Sequence, residues 1–240
     1  MLYFRSGEWG IQMGFGRAKA REVIDEFRFV VLSRGGYLDA LLPPAVFLAT
    51  KTLAGDQAAM IAALLAGGAL AAFRGLRRQP ATLALLGLSG SLLAFLAAQW
   101  LQRAELFFLP EWITNAALAA FCLTSAAFRR PLVAWTSHLV RSWPRNWYWH
   151  PRVLPAYTEV TLAWAGYFLV QAALQWPLFL RQDVTRMAVS SLLSGWPATV
   201  LLLILTYLCG TWRLARLGGP SIVEFQTHTP PPWSGQRRGF

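Results

Sequence analysis

Six long apolar runs constrain the fold of this chain more than any other feature of its sequence. A helix needs about 17–20 apolar residues to cross a bilayer, and each run is near or above that length. Backbone polar groups inside hydrocarbon must be satisfied within the segment, so such runs form helices. The sequence therefore predicts an all-α, polytopic transmembrane helix bundle of about six spans. The predicted spans are 37–54, 56–73, 81–101, 107–128, 154–180 and 187–211.

Composition agrees with a membrane protein and sets the domain boundaries. Hydrophobic residues make up 55% of the chain and charged residues 14%, against about 25% charged residues in soluble domains. We predict an N-terminal arm (1–36), a membrane domain (37–212) and a tail rich in Pro and Arg (213–240). The arm includes an amphipathic helix at 18–32, which would lie on the membrane surface or dock on the loops of the bundle. The Pro-rich tail is expected to be extended and mobile.

The distribution of basic residues predicts the orientation. The net charge is +11, and 18 of the 22 Lys and Arg residues lie in the arm, in the tail, or in the loops after the second and fourth spans. Cytoplasmic loops carry such an excess, so both termini are predicted to be cytoplasmic. We expect a multi-pass protein of the bacterial inner (plasma) membrane, with anionic headgroups as a cytoplasmic-side partner. Basic residues clustered at the ends of apolar runs argue against nucleic-acid binding.

Two spans contain helix-breaking residues, and one contains small residues at helical spacing. Pro43 and Pro44 predict a kink or break in the first span, and Gly195–Trp196–Pro197 predicts a break in the sixth. Broken helices line binding sites in transporters, although packed kinks are also common. Ala59, Ala63, Gly67 and Ala71 form a stripe suited to close helix contact.

The stretch RAELFFLPEWITNAA (103–117) places a polar cluster at the start of the fourth span. Arg103 and Glu105 are expected at the outer interface. Pro110 suits the first turn of a helix, and Glu111 suits its positive N-terminus. Asn115 lies one turn deeper and needs a hydrogen-bond partner.

Further polar residues lie within the spans, and ionisable groups there are functional candidates. Most lie close enough to an interface to snorkel, so interfacial anchoring and a polar pathway both stay open. The candidate functional positions are Asp39, Pro43, Pro44, Arg103, Glu105, Asn115, Glu159, Gln171, Trp196 and Pro197.

The interfacial residues are aromatic as well as basic. The segment LVAWTSHLV (132–140) is too short to span a membrane and is expected to be interfacial or re-entrant. Trp143, Trp147, Tyr148 and Trp149 follow it between arginines and are predicted to lie in the headgroup layer.

No catalytic, metal-binding or cofactor-binding motif is recognisable. Cys122 and Cys209 lie inside apolar runs without ligand spacing, and the three histidines are scattered. His138 would be the best axial ligand among them if a haem or pigment were bound. We expect no catalytic residues, no metal and no cofactor.

Several segments resemble a known bacterial family. They include RAELFFLPEWITNAA, the RRPLV that follows the fourth span, and GWPATVLLLILTYL. Over about 35–212 the chain is similar to the uncharacterised integral membrane family called domain of unknown function 3159, which itself bears a loose likeness to intracellular septation proteins. The resemblance implies a membrane protein and brings no activity.

Two functions fit these features. The first is a non-enzymatic protein that acts by association, as a scaffold or accessory subunit bound to other membrane subunits or to itself. The alternative is a small transporter or channel with a polar site near the broken first and sixth spans. Convergence of Asn115, Glu159 and Gln171 on one water-accessible cavity would favour transport, and separate pairing would favour association.

Overall fold

The computed structural model describes residues 36–77, 82–236 and 239–240, and among these it contains helices and no strands. The predicted amphipathic helix at 18–32 lies outside the described residues. Residues 39–240 form one compact unit, and of the other unit (1–38) only 36–38 are described. The α-helices are α1 (Gly36–Leu76), α2 (Thr82–Trp100), α3 (Leu109–Ala127), α4 (Leu132–Arg141), α5 (Arg145–Tyr148), α6 (Leu154–Leu180), α7 (Val184–Ser194), α8 (Trp196–Leu217) and α9 (Ile222–Gln226), with a 3₁₀ helix at Ala104–Phe108.

Three helical stretches in the described part of the chain are long and apolar enough to cross a membrane. They are Leu42–Leu76, Ala104–Ala127 and Val184–Leu217. Large apolar side chains remain exposed along them, as is normal where a helix faces lipid; Leu65, for example, is 69% exposed. Length, composition and exposure together identify a membrane protein. The 27-residue helix α6 is long enough to span but is more polar, with Glu159, Gln171 and Gln175.

Helix α1 folds back on itself at Gly55. A straight helix of its 41 residues would be about 61 Å long, twice the thickness of the hydrocarbon core. Gly55 has φ 79° and ψ 180°, which is not helical. Pro43 and Ala71 line one and the same cavity, although about 42 Å would separate them along a straight helix. The two arms, 36–54 and 56–76, therefore form a hairpin that matches the predicted first and second spans.

The break expected at Pro43 and Pro44 is absent, which is a correction to the expectation from sequence, and the turn at Gly55 lies between the predicted first and second spans. Helical backbone continues through Pro43 and Pro44, and the non-helical residue inside α1 is Gly55. Each proline removes one intrahelical N–H donor, so the pair costs the helix two backbone bonds without ending it. The break predicted in the sixth span is confirmed: α7 ends at Ser194, and α8 begins at Trp196 with Pro197 in its first turn.

The bundle is organised around α6, which packs along α3 over most of their length and also contacts α4, α7 and α8. Helix α3 begins as the sequence predicts, with Pro110 in its first turn and Glu111 beside it. The small-residue stripe is used inside the chain. Ala59, Ala63 and Ala71 are buried, and the place where a Cβ on Gly67 would lie is 3.7 Å from Leu88 Cδ1.

Two of the four aromatic rings that follow α4 are enclosed by the chain itself and do not face headgroups. Trp147 and Tyr148 are fully buried within the chain. Trp147 Nε1 donates to Pro220 O at 2.8 Å, and Tyr148 OH and Ser137 Oγ share a hydrogen bond of 3.1 Å. These two rings are therefore core residues. The segment 132–140 does form the separate short helix expected, α4.

The C-terminal tail folds against the bundle instead of extending from it. Helix α9 begins with a capping box between Ser221 and Glu224. Trp233 packs on the His150 ring at 5.3 Å, and Phe240 stacks on Tyr157 at 4.3 Å between ring centroids. The last membrane helix also continues to Leu217, beyond the predicted boundary at 212.

Candidate functional site

A cavity of about 420 Å³ lies between the α1 hairpin and the start of α3. Its volume is within the range typical of small-molecule sites. Phe47, Phe107 and Phe108 form an aromatic wall, with ring centroids 5.3–5.8 Å apart. The remaining lining residues come from both arms of α1, from α2, α3 and α7: Pro43, Pro44, Ala63, Leu64, Gly67, Leu70, Ala71, Arg74, Leu88, Ser91, Pro110, Glu111 and Ser191.

Glu111 supplies the one carboxylate among the described residues that line this cavity. Its two oxygens accept hydrogen bonds from two different helices. Gln175 Nε2 of α6 donates to Oε1 at 2.8 Å, and Ser191 Oγ of α7 donates to Oε2. Gln175 and Ser191 are both buried. The carboxylate is thus fixed in place, with its remaining lone pairs left for a ligand or water in the cavity.

A second polar pair lies one helical turn deeper on the same two helices. Asn115 Nδ2 donates to Gln171 Oε1 at 3.1 Å, and both side chains are buried. Glu111 and Asn115 are four residues apart on α3, as are Gln171 and Gln175 on α6. Residues four apart share one face of a helix. The antiparallel helices α3 and α6 therefore meet through two polar contacts, Glu111–Gln175 and Asn115–Gln171. The first of these contacts faces the cavity.

The break between α7 and α8 is tied to α6 by hydrogen bonds. The Ser194 carbonyl at the end of α7 accepts from Gln171 Nε2 at 2.8 Å and from Tyr167 OH at 2.5 Å. Tyr167 OH also lies 2.9 Å from Thr199 Oγ1. A helix end leaves its last carbonyls without intrahelical partners, and side chains of α6 satisfy one of them here.

Three other predicted positions form two ion pairs away from the cavity. Arg103 Nε contacts Glu105 Oε1 at 2.7 Å, with Glu105 buried in the 3₁₀ helix. Glu159 of α6 binds Arg213 of α8 through contacts of 2.6 to 3.0 Å. None of these four residues is among those lining the cavity. Asn115, Glu159 and Gln171 therefore do not converge on one cavity: the first and last pair with each other, and Glu159 lies elsewhere. Of the two outcomes distinguished from the sequence, this separate pairing is the one that favours association.

The remaining candidates contribute less to this site. The side chains of Asp39 and Trp196 lie outside the described part of the structure, and Pro197 is exposed. His138 Nδ1 is 2.8 Å from Trp143 O, and its ring packs against Trp135. Within the described residues, no three His, Cys, Asp or Glu side chains are grouped so that they could hold a metal ion.

Sequence reasoning did not select Glu111, Gln175 or Ser191 as site residues. Glu111 was explained by the helix dipole alone, which accounts for its position in the first turn and not for its partners. One usable signal was present: polar residues spaced four apart occur on both α3 and α6. Ser191 carries no such signal, because Ser190 and Ser194 lie on the same helix and nothing in the sequence sets Ser191 apart from them.

Comparison with known proteins places the chain in a family. A family model described as "Protein of unknown function (DUF3159)" matches residues 33–214. The chain belongs to this family. The DUF3159 match covers α1 to most of α8 and so includes every residue that lines the cavity, while α9 and the rest of the tail lie beyond it. No curated protein and no solved structure matches the chain.

Proposed function

We propose that this DUF3159 protein is a small transporter or channel that carries a solute through the cavity beside Glu111. The observation that carries the proposal is the joint lining of this cavity by Glu111 and by the Pro43–Pro44 arm of the α1 hairpin. Intramembrane carboxylates are costly unless they serve a pathway or have partners. Apolar walls with a few convergent polar groups are the usual form of a small-molecule site.

The proposed topology has six spans and both termini on the cytoplasmic side of a bacterial inner membrane. It rests on the distribution of Lys and Arg. It is compatible with the hairpin at Gly55, whose two arms, 36–54 and 56–76, would each make one crossing. Helices α2 and α6 would supply two more crossings. The role proposed is non-enzymatic; among the described residues that line the cavity, Glu111 is a lone carboxylate without a second acid or a histidine beside it.

Association with other membrane subunits, as a scaffold or accessory subunit, remains the second candidate. It is favoured by the internal pairing of Asn115 with Gln171 and of Glu159 with Arg213, which removes these residues from a polar pathway. It is weakened by the burial of the small-residue stripe within the chain, because that stripe is then not available to a partner. The likeness to septation proteins stays a prediction.

Paired cysteine variants at adjacent positions can test whether the cavity is reached by water. Leu64 lines the cavity, whereas Leu65 is its 69% exposed neighbour on the lipid-facing side of α1. Each would be replaced by Cys in a background with Cys122→Ala and Cys209→Ala. A membrane-impermeant thiol reagent would then be applied to right-side-out and to inverted vesicles.

Transport requires that Leu64→Cys react from both sides and that Leu65→Cys react from neither, because a thiolate does not form in lipid. Reaction of Leu64→Cys from one side only would replace transport with ligand binding from that side. Reaction from neither side would mean a closed cavity and would favour association. Equal reaction of both variants would show that the reagent does not discriminate cavity from lipid, and the cavity argument would fail.

A further inference from the structure

The hydrogen bonds around Glu111 suit two protonation states of its side chain. In the ionised state, Ser191 Oγ and Gln175 Nε2 each donate to one carboxylate oxygen. In the protonated state, the Glu111 hydroxyl would donate to Ser191 Oγ, since a serine hydroxyl both donates and accepts. Gln175 Nε2 would keep its bond to the other oxygen. Neither state requires movement of the backbone.

The Ser191 proton has an alternative acceptor on its own helix. Serine and threonine side chains in helices commonly donate to the carbonyl four residues earlier. Ser194, on the same helix, does so to Ser190 O at 2.6 Å. Ser191 can turn in the same way towards the carbonyl of Met187 when it accepts from a protonated Glu111. The hydroxyl can therefore reverse its role when a proton arrives.

A second observation shows that the site is short of hydrogen-bond donors. Gln175 Oε1 is buried and has no hydrogen-bond partner among the described residues, and the Gln175 side chain is 1% exposed. Glu111 adds further acceptor capacity beside it. Buried acceptors without donors carry a free-energy cost. A proton taken up by Glu111 adds one donor to this cluster; in the arrangement described above Ser191 accepts it, and Gln175 Oε1 stays unpaired.

The other charged groups near the cavity whose side chains the structure describes already have partners. Arg74 lines the cavity and has an interaction of its own. Glu105 on the 3₁₀ helix is paired with Arg103. At the start of α7, Asp183 is paired with Arg186. The segment of α6 that faces Glu111 presents the neutral amides of Gln171 and Gln175. Among the described acids of this region, Glu111 is thus the one whose hydrogen-bond partners are neutral side chains.

We propose that Glu111 is a proton-binding site of the cavity and that Ser191 and Gln175 hold it in both protonation states. This inference rests on the proposed function, because it makes the solute movement through the cavity proton-coupled. Proton binding itself can be measured without knowledge of the solute.

Infrared difference spectroscopy of the purified full-length protein in lipid nanodiscs, stepped through pH, can test the inference. A carbonyl stretching band of a protonated carboxyl should be present and should be lost in Glu111→Gln. Ser191→Ala should shift the frequency of that band, because the hydrogen-bond partner is removed. Glu105→Gln is the matched control: Glu105 is also a buried acid near the start of α3, but it is bound to Arg103 and does not line the cavity. It should leave the band unchanged.

The inference would be overturned if no band were lost in Glu111→Gln at any pH at which circular dichroism shows folded protein, or if Ser191→Ala left the band unshifted. The two proposals fail separately. Labelling of Leu64→Cys from both sides without a Glu111 band would remove the proton site and leave transport. A Glu111 band without any labelling would remove transport through the cavity.

Discussion

Replacement of Gly55 by Ala tests the hairpin on which the cavity depends. Gly55 has φ 79° and ψ 180°, a region of backbone conformation that is essentially restricted to glycine and costs other residues about 1–3 kcal/mol. A Cβ at this position would meet nothing within 4 Å, so no steric clash adds to the backbone strain. Alanine also reduces the conformational freedom of the unfolded chain, which stabilises the folded state by about 0.4–1 kcal/mol and offsets part of this loss. We expect a net loss of about 1–2 kcal/mol in the free energy of unfolding.

Gly68 provides the matched control on the same helix. It lies in the second arm of the hairpin with a helical backbone, and a Cβ there would also meet nothing within 4 Å. Alanine is favoured over glycine inside a helix by about 0.5–1 kcal/mol. Gly68→Ala should therefore be neutral or stabilising. The two substitutions have the same chemistry and open surroundings, so their difference isolates the backbone conformation at Gly55.

The assay is reversible unfolding in mixed micelles, followed by tryptophan fluorescence and circular dichroism. The two variants should differ by about 1–3 kcal/mol, which corresponds to a change of at least about fivefold in the unfolding equilibrium. If α1 were one straight helix, Gly55→Ala would stabilise the protein as Gly68→Ala does. A Gly55→Ala variant at least as stable as the unchanged protein would refute the hairpin and, with it, the cavity between its arms and α3.

Two further predictions concern the Asn115–Gln171 contact and the C-terminal tail. Asn115→Leu should leave membrane insertion intact and lower the free energy of unfolding by about 1 kcal/mol. A double-mutant cycle with Gln171→Leu should give a coupling energy of about 0.6–1.7 kcal/mol. A coupling energy of zero would argue against the observed hydrogen bond between the two side chains. Glu224 accepts the backbone N–H groups of Ser234 and Ser221, which lowers its pKa from 4.5 to about 2. Because the folded-state pKa is lowered, the stabilisation of the tail is complete above pH 4.5 and is lost as the pH falls through about 2. The carboxyl ¹³C shift of Glu224 should titrate near pH 2, and a midpoint near 4.5 would show that the tail does not hold this residue.

Much of the helical framework follows directly from local sequence. Apolar runs of membrane-spanning length predict helices, because no other open structure satisfies the backbone in hydrocarbon. Local chemistry also places helix ends. Pro110 opens α3, and Gly195 with Pro197 separates α7 from α8. Each of these effects acts within a turn or two of the residue responsible, so it can be predicted without the fold.

Other features were misjudged because they depend on neighbours distant in sequence. The helix-breaking tendency of Pro43 and Pro44 predicts a kink or break there, whereas helical backbone continues through both prolines. Trp147 and Tyr148 have the composition of a headgroup layer, yet their rings pack in the core against Pro220 and Ser137. A tryptophan or tyrosine suits both environments, since it joins an apolar ring to a polar group. The residue type alone does not distinguish a position in the core from one in the headgroup layer.

The sequence by itself determined that this is a helical membrane protein, where most of its helices begin and end, and which family it resembles. Only the tertiary structure decided which polar residues meet. Glu111 is 64 residues from Gln175 and 80 from Ser191, and their contact depends on how α3, α6 and α7 are rotated and aligned along one another. Helix formation is governed by interactions a few residues apart, whereas rotation and alignment are set by side-chain packing across the whole bundle.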